Sequence, residues 1–179
     1  MRDSAPRVSA GGRRGRRLAA LAMGVAVLAG CSAFRRTPLD VPPGHRVVMG
    51  EIAVAGFSEP QIALDIARED GAFRYELPVD FRLTPFVITL PPGRYQITRL
   101  RFNEMGRTFP EEVGFPLRVT FDVGDAAAVY VGRLQIERVV FARQLRVTVR
   151  DDYERAVPEF RARYPELPPS IARALMQTT

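Results

Sequence analysis

The sequence predicts a mainly β protein: an antiparallel β-sandwich of about eight short strands, with a short helical segment at its C-terminal end. Apolar and polar residues alternate with period two through much of residues 46–150, and turn signals rich in Gly, Pro and Asp separate the alternating runs. Short strands at this spacing are typical of a sandwich. After residue 150 the apolar spacing becomes helical.

The first 30 residues have the two parts of a secretion signal. A cluster of arginines forms a positive segment, and Leu18 to Ala29 follow as an apolar run of 12 residues. Crossing the hydrocarbon of a bilayer takes about 20 apolar residues, so this run is too short for a transmembrane helix and has the length of a signal peptide. We therefore expect residues 1–30 to be a signal peptide that is removed.

The chain has a single cysteine, Cys31, directly after this run. The stretch Leu28-Ala29-Gly30-Cys31 resembles the lipobox of bacterial lipoproteins at all four positions. The resemblance implies cleavage before Cys31 and attachment of a diacylglyceryl group to its thiol, with acylation of the new amine by a fatty acid such as palmitate. Two or more acyl chains anchor a protein stably to a membrane. The alternatives are a plain secretion signal with an incidental cysteine, or a signal anchor.

Ser32 follows the cysteine. By the sorting rule of enterobacterial lipoproteins, serine at this position favours the outer membrane, so we expect a domain anchored there and facing the periplasm. Residues 31–45 are polar and rich in proline, which predicts a semi-extended tether.

The formal net charge of +6 belongs mainly to the leader. Of the 26 basic residues, all arginine, six precede Cys31, against one acidic residue. Residues 31–179 carry 20 arginines and 19 acidic residues, a formal net charge of +1. A nearly balanced body argues against nucleic-acid binding by phosphate neutralisation.

The β-sandwich domain is expected over residues 46–150, beginning with a strand from Arg46 to Val54. Asp70-Gly71 is a strong signal for a two-residue hairpin turn. That turn would pair Ile66 with Tyr75 and Leu64 with Leu77, and it would place both apolar sets on one face. The inward residues of these two strands are then Ile62, Leu64, Ile66, Phe73, Tyr75 and Leu77.

Later strands follow the same alternation, with one change of parity. The inward positions run through Tyr95 and Ile97 and then shift to Leu100 and Phe102, which predicts a bulge near Arg99. Residues 103–116 interrupt the pattern and predict a surface loop. The remaining inward sets are Phe86, Ile88 and Leu90; Leu117, Val119, Phe121 and Val123; and Leu145, Val147 and Val149.

The segment "LPPGRYQI" at residues 90–97 resembles a turn and strand of prealbumin-like sandwiches, such as carboxypeptidase regulatory-like domains. The resemblance implies that proline and glycine form a corner and that Tyr95 packs inward. It extends over about eight residues and carries no activity with it.

Residues 151–179 are expected to form a helical segment packed on the sandwich. Asp151 would be the N-cap, with Glu154 at capping-box spacing. A stripe then recurs at intervals of four, three and four residues: Tyr153, Val157, Phe160 and Tyr164. Pro158 predicts a kink or a restart of the helix, and a short final helix is expected from Ser170 to Met176. We expect the stripe to pack on the sandwich; the alternative is a partner-binding helix.

The sequence contains no catalytic, cofactor-binding or metal-binding constellation that we recognise. His45 is the only histidine and precedes the first strand, which argues against Ser–His–Asp, Cys–His and multi-histidine sites. Glu111-Glu112 lies in the expected loop, where a calcium or glycosidase-like site is conceivable and a solvated loop is the simpler interpretation. A possible basic stripe on the late strands, formed by Arg143, Arg146 and Arg150, would be neutralised by acids such as Asp122 and Glu137.

These observations favour a lipid-anchored envelope protein whose sandwich is a non-catalytic structural or binding module. Its expected partners are the membrane, through the lipid on Cys31, and an envelope protein or glycan. Mixed parity from Val129 to Ile136 leaves open how well the core is filled, so the first alternative is a carrier of an apolar ligand. The second alternative is a hydrolase that uses Glu111 and Glu112.

Overall fold

Two β-sheets pack face to face in a computed structural model that describes residues 38–57, 62–80, 82–104, 111–139 and 144–178. The strands are β1 Arg46–Ala55, β2 Ile62–Arg68, β3 Arg74–Val79, β4 Leu83–Leu90, β5 Gly93–Glu104, β6 Glu111–Val123, β7 Ala128–Arg138, β8 Leu145–Arg150, β9 Ala172–Arg173 and β10 Gln177–Thr178. The first sheet has the strand order β4-β1-β7-β8, with β9 also paired to β7, and the second has the order β10-β6-β5-β2-β3. The expectation of a mainly β sandwich with a short C-terminal helix is confirmed.

One pairing in the first sheet departs from a purely antiparallel arrangement. Strands β1 and β7 are parallel, with Val47 opposite Ala128 and Ala55 opposite Glu137. A parallel pair needs a long crossover, and the chain between these strands supplies it by running through β2, β3, β5 and β6 of the second sheet. The strands are therefore antiparallel except where β7 meets β1 and the short β9.

The register of the β2–β3 hairpin is as expected. Ile66 pairs with Tyr75 and Leu64 with Leu77. The connection is a four-residue loop, however, because Arg68 N–H still binds the Phe73 carbonyl at 2.9 Å and the turn closes from Gly71 N–H to the Arg68 carbonyl. Gly71 has φ +74°, a conformation that glycine adopts without steric cost. The side chain of Asp70 accepts from Ala72 N–H at 3.0 Å and fixes the loop.

The bulge expected in β5 is confirmed at Thr98. Its pairing with β2 shifts between Ile97 and Arg99, and Leu100 and Phe102 are buried after the shift, as predicted. The expected loop over residues 103–116 is wrong, because β5 continues to Glu104 and β6 begins at Glu111. Pairing with β5 extends the start of β6 through residues 111–116, where apolar and polar residues do not alternate regularly in the sequence.

A second bulge, at Gly132 in β7, explains the mixed parity of that strand. The pairing of β7 with β1 shifts by one residue between Met49 and Glu51, and Gly132 has φ +93°. Before the bulge Val129 and Val131 face the sandwich core, and after it Leu134 and Ile136 do. The extra residue turns Arg133 to the opposite face, beside Glu51.

The first sheet is buried on both faces and the second on one. Between the sheets lies the main core, which includes Val48, Ile52, Leu64, Leu100 and Leu134. A second core covers the other face of the first sheet, where Val47, Met49, Ala128 and Tyr130 pack against Ala156, Val157, Phe160, Leu167 and Ile171. The domain therefore has three layers: a helix, the first sheet and the second sheet.

The helix α1 spans Tyr153–Arg163 and uses the expected stripe for packing. Val157 and Phe160 are buried in the second core, and Tyr153 and Tyr164 pack beside them. The helix continues through Pro158, so no restart occurs there. The expected cap is wrong: Asp152 is the N-cap and makes no side-chain cap bond, while Asp151 accepts from Tyr153 N–H at 3.1 Å. Glu154 binds Arg173 instead of closing a capping box.

The expected final helix over Ser170 to Met176 is wrong, because this segment is extended. Ala172 and Arg173 pair with β7, and Gln177 and Thr178 pair with β6. Between them Ala174 N–H binds the Tyr130 carbonyl at 3.0 Å, and Met176 N–H binds the Val131 carbonyl at 2.9 Å. Met176 is buried in the main core. The tail thus joins the two sheets at one side of the sandwich, where hydrogen bonds to β7 outweigh its local sequence preference.

We predict that Gly132→Ala destabilises the domain by about 2 kcal/mol or more. The positive φ is strained for alanine, and the added Cβ would meet the Arg150 carbonyl oxygen at 3.1 Å and Leu175 at 3.2 Å. The matched control is Gly124→Ala, where a Cβ meets nothing within 4 Å, and we expect a change within about 0.5 kcal/mol. Urea unfolding of both variants measures the difference. Equal free energies of unfolding for the two variants would contradict the claim that the bulge requires glycine at position 132.

Candidate binding site

Most residues singled out from the sequence take structural positions or lie outside the described residues. Cys31, the expected lipidation site, lies outside them. His45 is half-buried just before β1 and contacts the Pro43 carbonyl. Glu111 and Glu112 are in strand β6, where their backbones pair with Glu104 and Asn103. Both residues invoked for calcium or glycosidase chemistry therefore lie in a strand, and residues 105–110 of the expected loop lie outside the described residues.

Two general features bear on function. In the described ranges, no three His, Cys, Asp or Glu residues come together in a way that suits a metal ion. No helix among the residues described is long and apolar enough to span a bilayer.

The outer face of the second sheet carries an open groove of about 720 Å³. It crosses four neighbouring strands and is open to solvent. The residues that carry its charge and chemistry are Asp65, Arg74, Tyr75, Glu76, Thr98, Arg99 and Arg101. We refer to this feature as the outer-face groove.

Arg101 forms ion pairs with both carboxylates that line the outer-face groove. Arg101 Nε lies 2.8 Å from Asp65 Oδ1, and its Nη2 lies 2.5 Å from Glu76 Oε2. Thr98 donates to the Asp65 carbonyl at 3.3 Å. Arg101 therefore crosslinks β5, β2 and β3, and it neutralises much of the negative charge in the groove.

The other two arginines of the groove, Arg74 and Arg99, have no ion pair with any described residue. Both are exposed. With three arginines against two carboxylates among the lining residues, the groove has a positive excess. Unpaired guanidinium groups keep all their N–H donors available for an anion.

Backbone irregularities place Arg99 on this face. The bulge at Thr98 directs Arg99 outward and returns Leu100 to the core. On the neighbouring strand, Gly114 leaves room for it: a Cβ there would meet Arg99 Cδ at 2.8 Å. The aliphatic part of Arg99 therefore lies against β6 at Gly114, and Arg99 is among the residues that line the groove.

Tyr75 keeps the expected register opposite Ile66, so its side chain lies on the core side of β3, together with Leu77. It is nevertheless 37% exposed, because β3 is the edge strand of the second sheet.

The basic stripe expected on the late strands is neutralised in part, as anticipated. Arg146 pairs with Glu137 at 3.2 Å. Asp122 instead lies 4.0 Å from Arg94, on the other sheet, and Arg143 lies outside the described residues.

A buried charge cluster lies between the first sheet and the helix. Glu51 of β1 is only 2% exposed. Its Oε2 is 3.1 Å from Arg133 Nε and 2.5 Å from Arg155 Nη2. Arg155 also binds Glu159 at 3.0 Å along the helix. Hydrogen bonding to Glu51 raises the pKa of Arg155 further above its ordinary value. Glu51 thus links a strand, its neighbour and the helix.

Two polar atoms beside this cluster are incompletely satisfied. Tyr130 Oη is buried and makes no hydrogen bond of normal geometry with any described residue, although the backbone of Asp152 lies close enough to interact with it. Asp152 Oδ2 lacks an aligned hydrogen bond although Arg133 Nη2 lies 2.8 Å away. Burial, and then the charge of Glu51, raise the pKa of Tyr130 to about 12. Tyr130 therefore remains a neutral phenol at physiological pH.

A third set of charges holds the tail to the helix. Arg173 binds Asp151 at 3.0 Å and Glu154 at 2.8 Å, and its guanidinium carbon lies 4.3 Å from the centre of the Tyr153 ring. Tyr153 Oη donates to the Ile171 carbonyl at 2.7 Å. These groups bind one another within the domain and stabilise the extended tail.

A second depression lies between the sheets, where the edge strand β8 faces the part of β6 beyond β10. This crevice has a volume of about 570 Å³. Its apolar lining includes Phe115, Leu117, Leu145 and Val147, and Arg118 and Thr178 also line it.

Comparisons with protein-family models, with curated proteins and with solved structures found no match to the chain.

Sequence reasoning missed the outer-face groove and the buried Glu51. The sequence predicted the bulge near Arg99. A bulge places two consecutive residues, here Thr98 and Arg99, on the outer face, and this was the signal that could have indicated the groove. Glu51 interrupts the apolar run of β1, "RVVMGEIAVA", which is a signal for a buried charge. Its two arginine partners come from distant segments and have no local signature.

We predict opposite effects for removing the hydroxyls of two buried tyrosines. Tyr130→Phe removes a hydroxyl that makes no hydrogen bond of normal geometry with the described residues, and it should leave stability unchanged or raised by up to about 1 kcal/mol. Tyr95→Phe removes a hydrogen bond to the Pro91 carbonyl of 2.7 Å and should cost about 1 kcal/mol. Chemical unfolding at pH 7 compares them; a loss for Tyr130→Phe as large as that for Tyr95→Phe would show that Tyr130 Oη has a partner.

Tyr130 also gives a pH dependence with a definite sign. An unfolded tyrosine has a pKa of about 10, whereas that of folded Tyr130 is about 12. Between these values the folded state keeps a proton that the unfolded state has lost, so the free energy of unfolding falls as pH rises. Unfolding measured from pH 9 to 12 should show a shallower fall for Tyr130→Phe than for the unmodified protein. Parallel curves would contradict this account.

Proposed function

We propose that the protein is a lipid-anchored component of the bacterial cell envelope whose β-sandwich is a non-catalytic binding module. The anchoring part rests on the motif Leu28-Ala29-Gly30-Cys31 behind a charged and apolar leader. The anchor is the acylated Cys31, and Ser32 favours the outer membrane with the domain on the periplasmic side. The prealbumin-like resemblance of residues 90–97 is consistent with a scaffold that carries no chemistry of its own.

The binding part rests on one observation: the outer-face groove keeps Arg74 and Arg99 without ion pairs among the described residues. Most other described arginines form contacts within the domain, such as the ion pairs of Arg101, Arg133, Arg155 and Arg173. Unpaired cations gathered in one groove are suited to recognition of an external anion.

The tether is consistent with this role. Leu39 packs beside the second core, and its N–H donates to Glu166 at 3.1 Å, so the chain joins the domain on its helix-bearing side. The outer-face groove is on the second sheet, two layers away. The described part of the tether, residues 38–45, therefore joins the domain on the side away from the groove.

A second candidate function is transport of an apolar ligand, and the crevice between β8 and β6 is the observation that favours it. Against it, aliphatic and aromatic side chains fill the space between the sheets, and the mixed parity of β7 follows from a bulge. The two functions differ in what the purified protein carries. A carrier extracted in mild detergent should retain about one lipid per chain by mass spectrometry, and a binding module should not.

We predict that Cys31→Ser abolishes membrane anchoring by lipid. The serine hydroxyl does not replace the thiol as acceptor of the diacylglyceryl group, so mass spectrometry of the N-terminal peptide should show no acyl chains. The variant should leave the membrane fraction or remain there only with its signal uncleaved. The control is Ser32→Ala, which should still be acylated. An unacylated Cys31 in the unmodified mature protein would refute the anchor.

A further inference from the structure

We propose that the outer-face groove binds an acidic polysaccharide, through bidentate contacts from Arg74 and Arg99 to carboxylate groups along the glycan. This inference rests on the proposed function, because it identifies the ligand class of the same binding module.

The charge of the groove favours an anionic ligand. Asp65 and Glu76 are both occupied by Arg101, at 2.8 Å and 2.5 Å. The remaining cations, Arg74 and Arg99, are exposed and have no ion pair among the described residues. The planar guanidinium matches a carboxylate with two parallel hydrogen bonds, so two such groups in one groove favour a ligand with repeated carboxylates.

The shape of the groove favours a chain over a compact small molecule. It crosses β3, β2, β5 and β6 on the face of a sheet and is open along its length. Small-molecule sites are usually concave and bury most of their ligand. A polymer that lies across the strands contacts an open groove without being enclosed.

The backbone and the composition of the groove disfavour a protein partner. The central strands of the groove, β2 and β5, are paired on both sides, so an added peptide strand would find a free hydrogen-bonding edge only at the sides of the groove, at β3 and at the part of β6 beyond β10. The centre of the groove is charged, whereas the centres of protein interfaces are depleted of charged residues.

The test measures binding of polygalacturonate to the full chain purified in detergent, by isothermal titration calorimetry, with neutral dextran as a second probe. We expect binding to polygalacturonate and none to dextran. The double variant Arg74→Ala/Arg99→Ala should weaken binding by about tenfold or more, because each lost charge-assisted contact contributes more than a neutral hydrogen bond. Circular dichroism confirms folding of each variant.

Two further variants separate recognition from net charge. Arg82→Ala/Arg150→Ala removes the same charge at exposed positions that do not line the groove, and it should change affinity less than twofold. Arg74→Lys/Arg99→Lys keeps the charge and loses the planar fork, so binding should still weaken by about threefold or more. The proposal would be overturned if Arg82→Ala/Arg150→Ala weakened the affinity as much as Arg74→Ala/Arg99→Ala. Unchanged affinity of Arg74→Lys/Arg99→Lys would overturn it as well.

Failure of this inference is distinguishable from failure of the proposed function. Absence of polygalacturonate binding, or tighter binding of duplex DNA than of polygalacturonate, overturns the acidic-polysaccharide assignment. Recovery of an envelope protein whose capture is lost in Arg74→Ala/Arg99→Ala overturns it too. In each case acylation of Cys31 is measured separately, and it tests the lipid anchor independently of the ligand of the groove.

Discussion

Glu51 places a carboxylate in the middle of β1 at 2% exposure, between a β-sheet and a helix. An unpaired charge in such a position costs several kcal/mol, so the fold requires partners for it. Arg133 reaches it because the bulge at Gly132 adds one residue to β7, and Arg155 reaches it from the first turns of α1. The helix, the central strand pair and the bulge are therefore linked through one oxygen atom, Glu51 Oε2.

The covering of the first sheet has a consequence for function. Its outer face is occupied by α1, by residues up to Ile171 and by the charges around Glu51, while the tail from Ala172 joins both sheets at one side. Among the residues that the structure describes, none covers the outer face of the second sheet, which carries the groove with Arg74 and Arg99. The proposed binding face is thus the face that the described residues leave open. The Cys31 anchor and the groove would then have separate roles, one in location and one in recognition.

The spacing of apolar residues along the chain predicted those features of the fold that neighbouring residues determine. The β2–β3 register, the bulge near Arg99 and the helical stripe from Tyr153 to Tyr164 all followed from spacing along the chain. The parts that failed depend on distant pairing: β1 parallel to β7, the tail extended against β7 and β6, and β5–β6 continuing through the expected loop. The groove itself was not predicted, because a guanidinium is recognised as unpaired only when its spatial neighbours are known.

The most direct test of the Glu51 linkage is a double-mutant cycle for Glu51→Gln and Arg155→Gln, followed by urea unfolding. If Glu51 holds the helix to the sheet, the two changes are non-additive, with a coupling free energy of about 1–3 kcal/mol. The exposed pair Glu137 and Arg146 serves as the reference cycle, and its coupling should not exceed about 0.5 kcal/mol. Additive effects at Glu51 and Arg155, equal to those of the reference pair, would contradict the account.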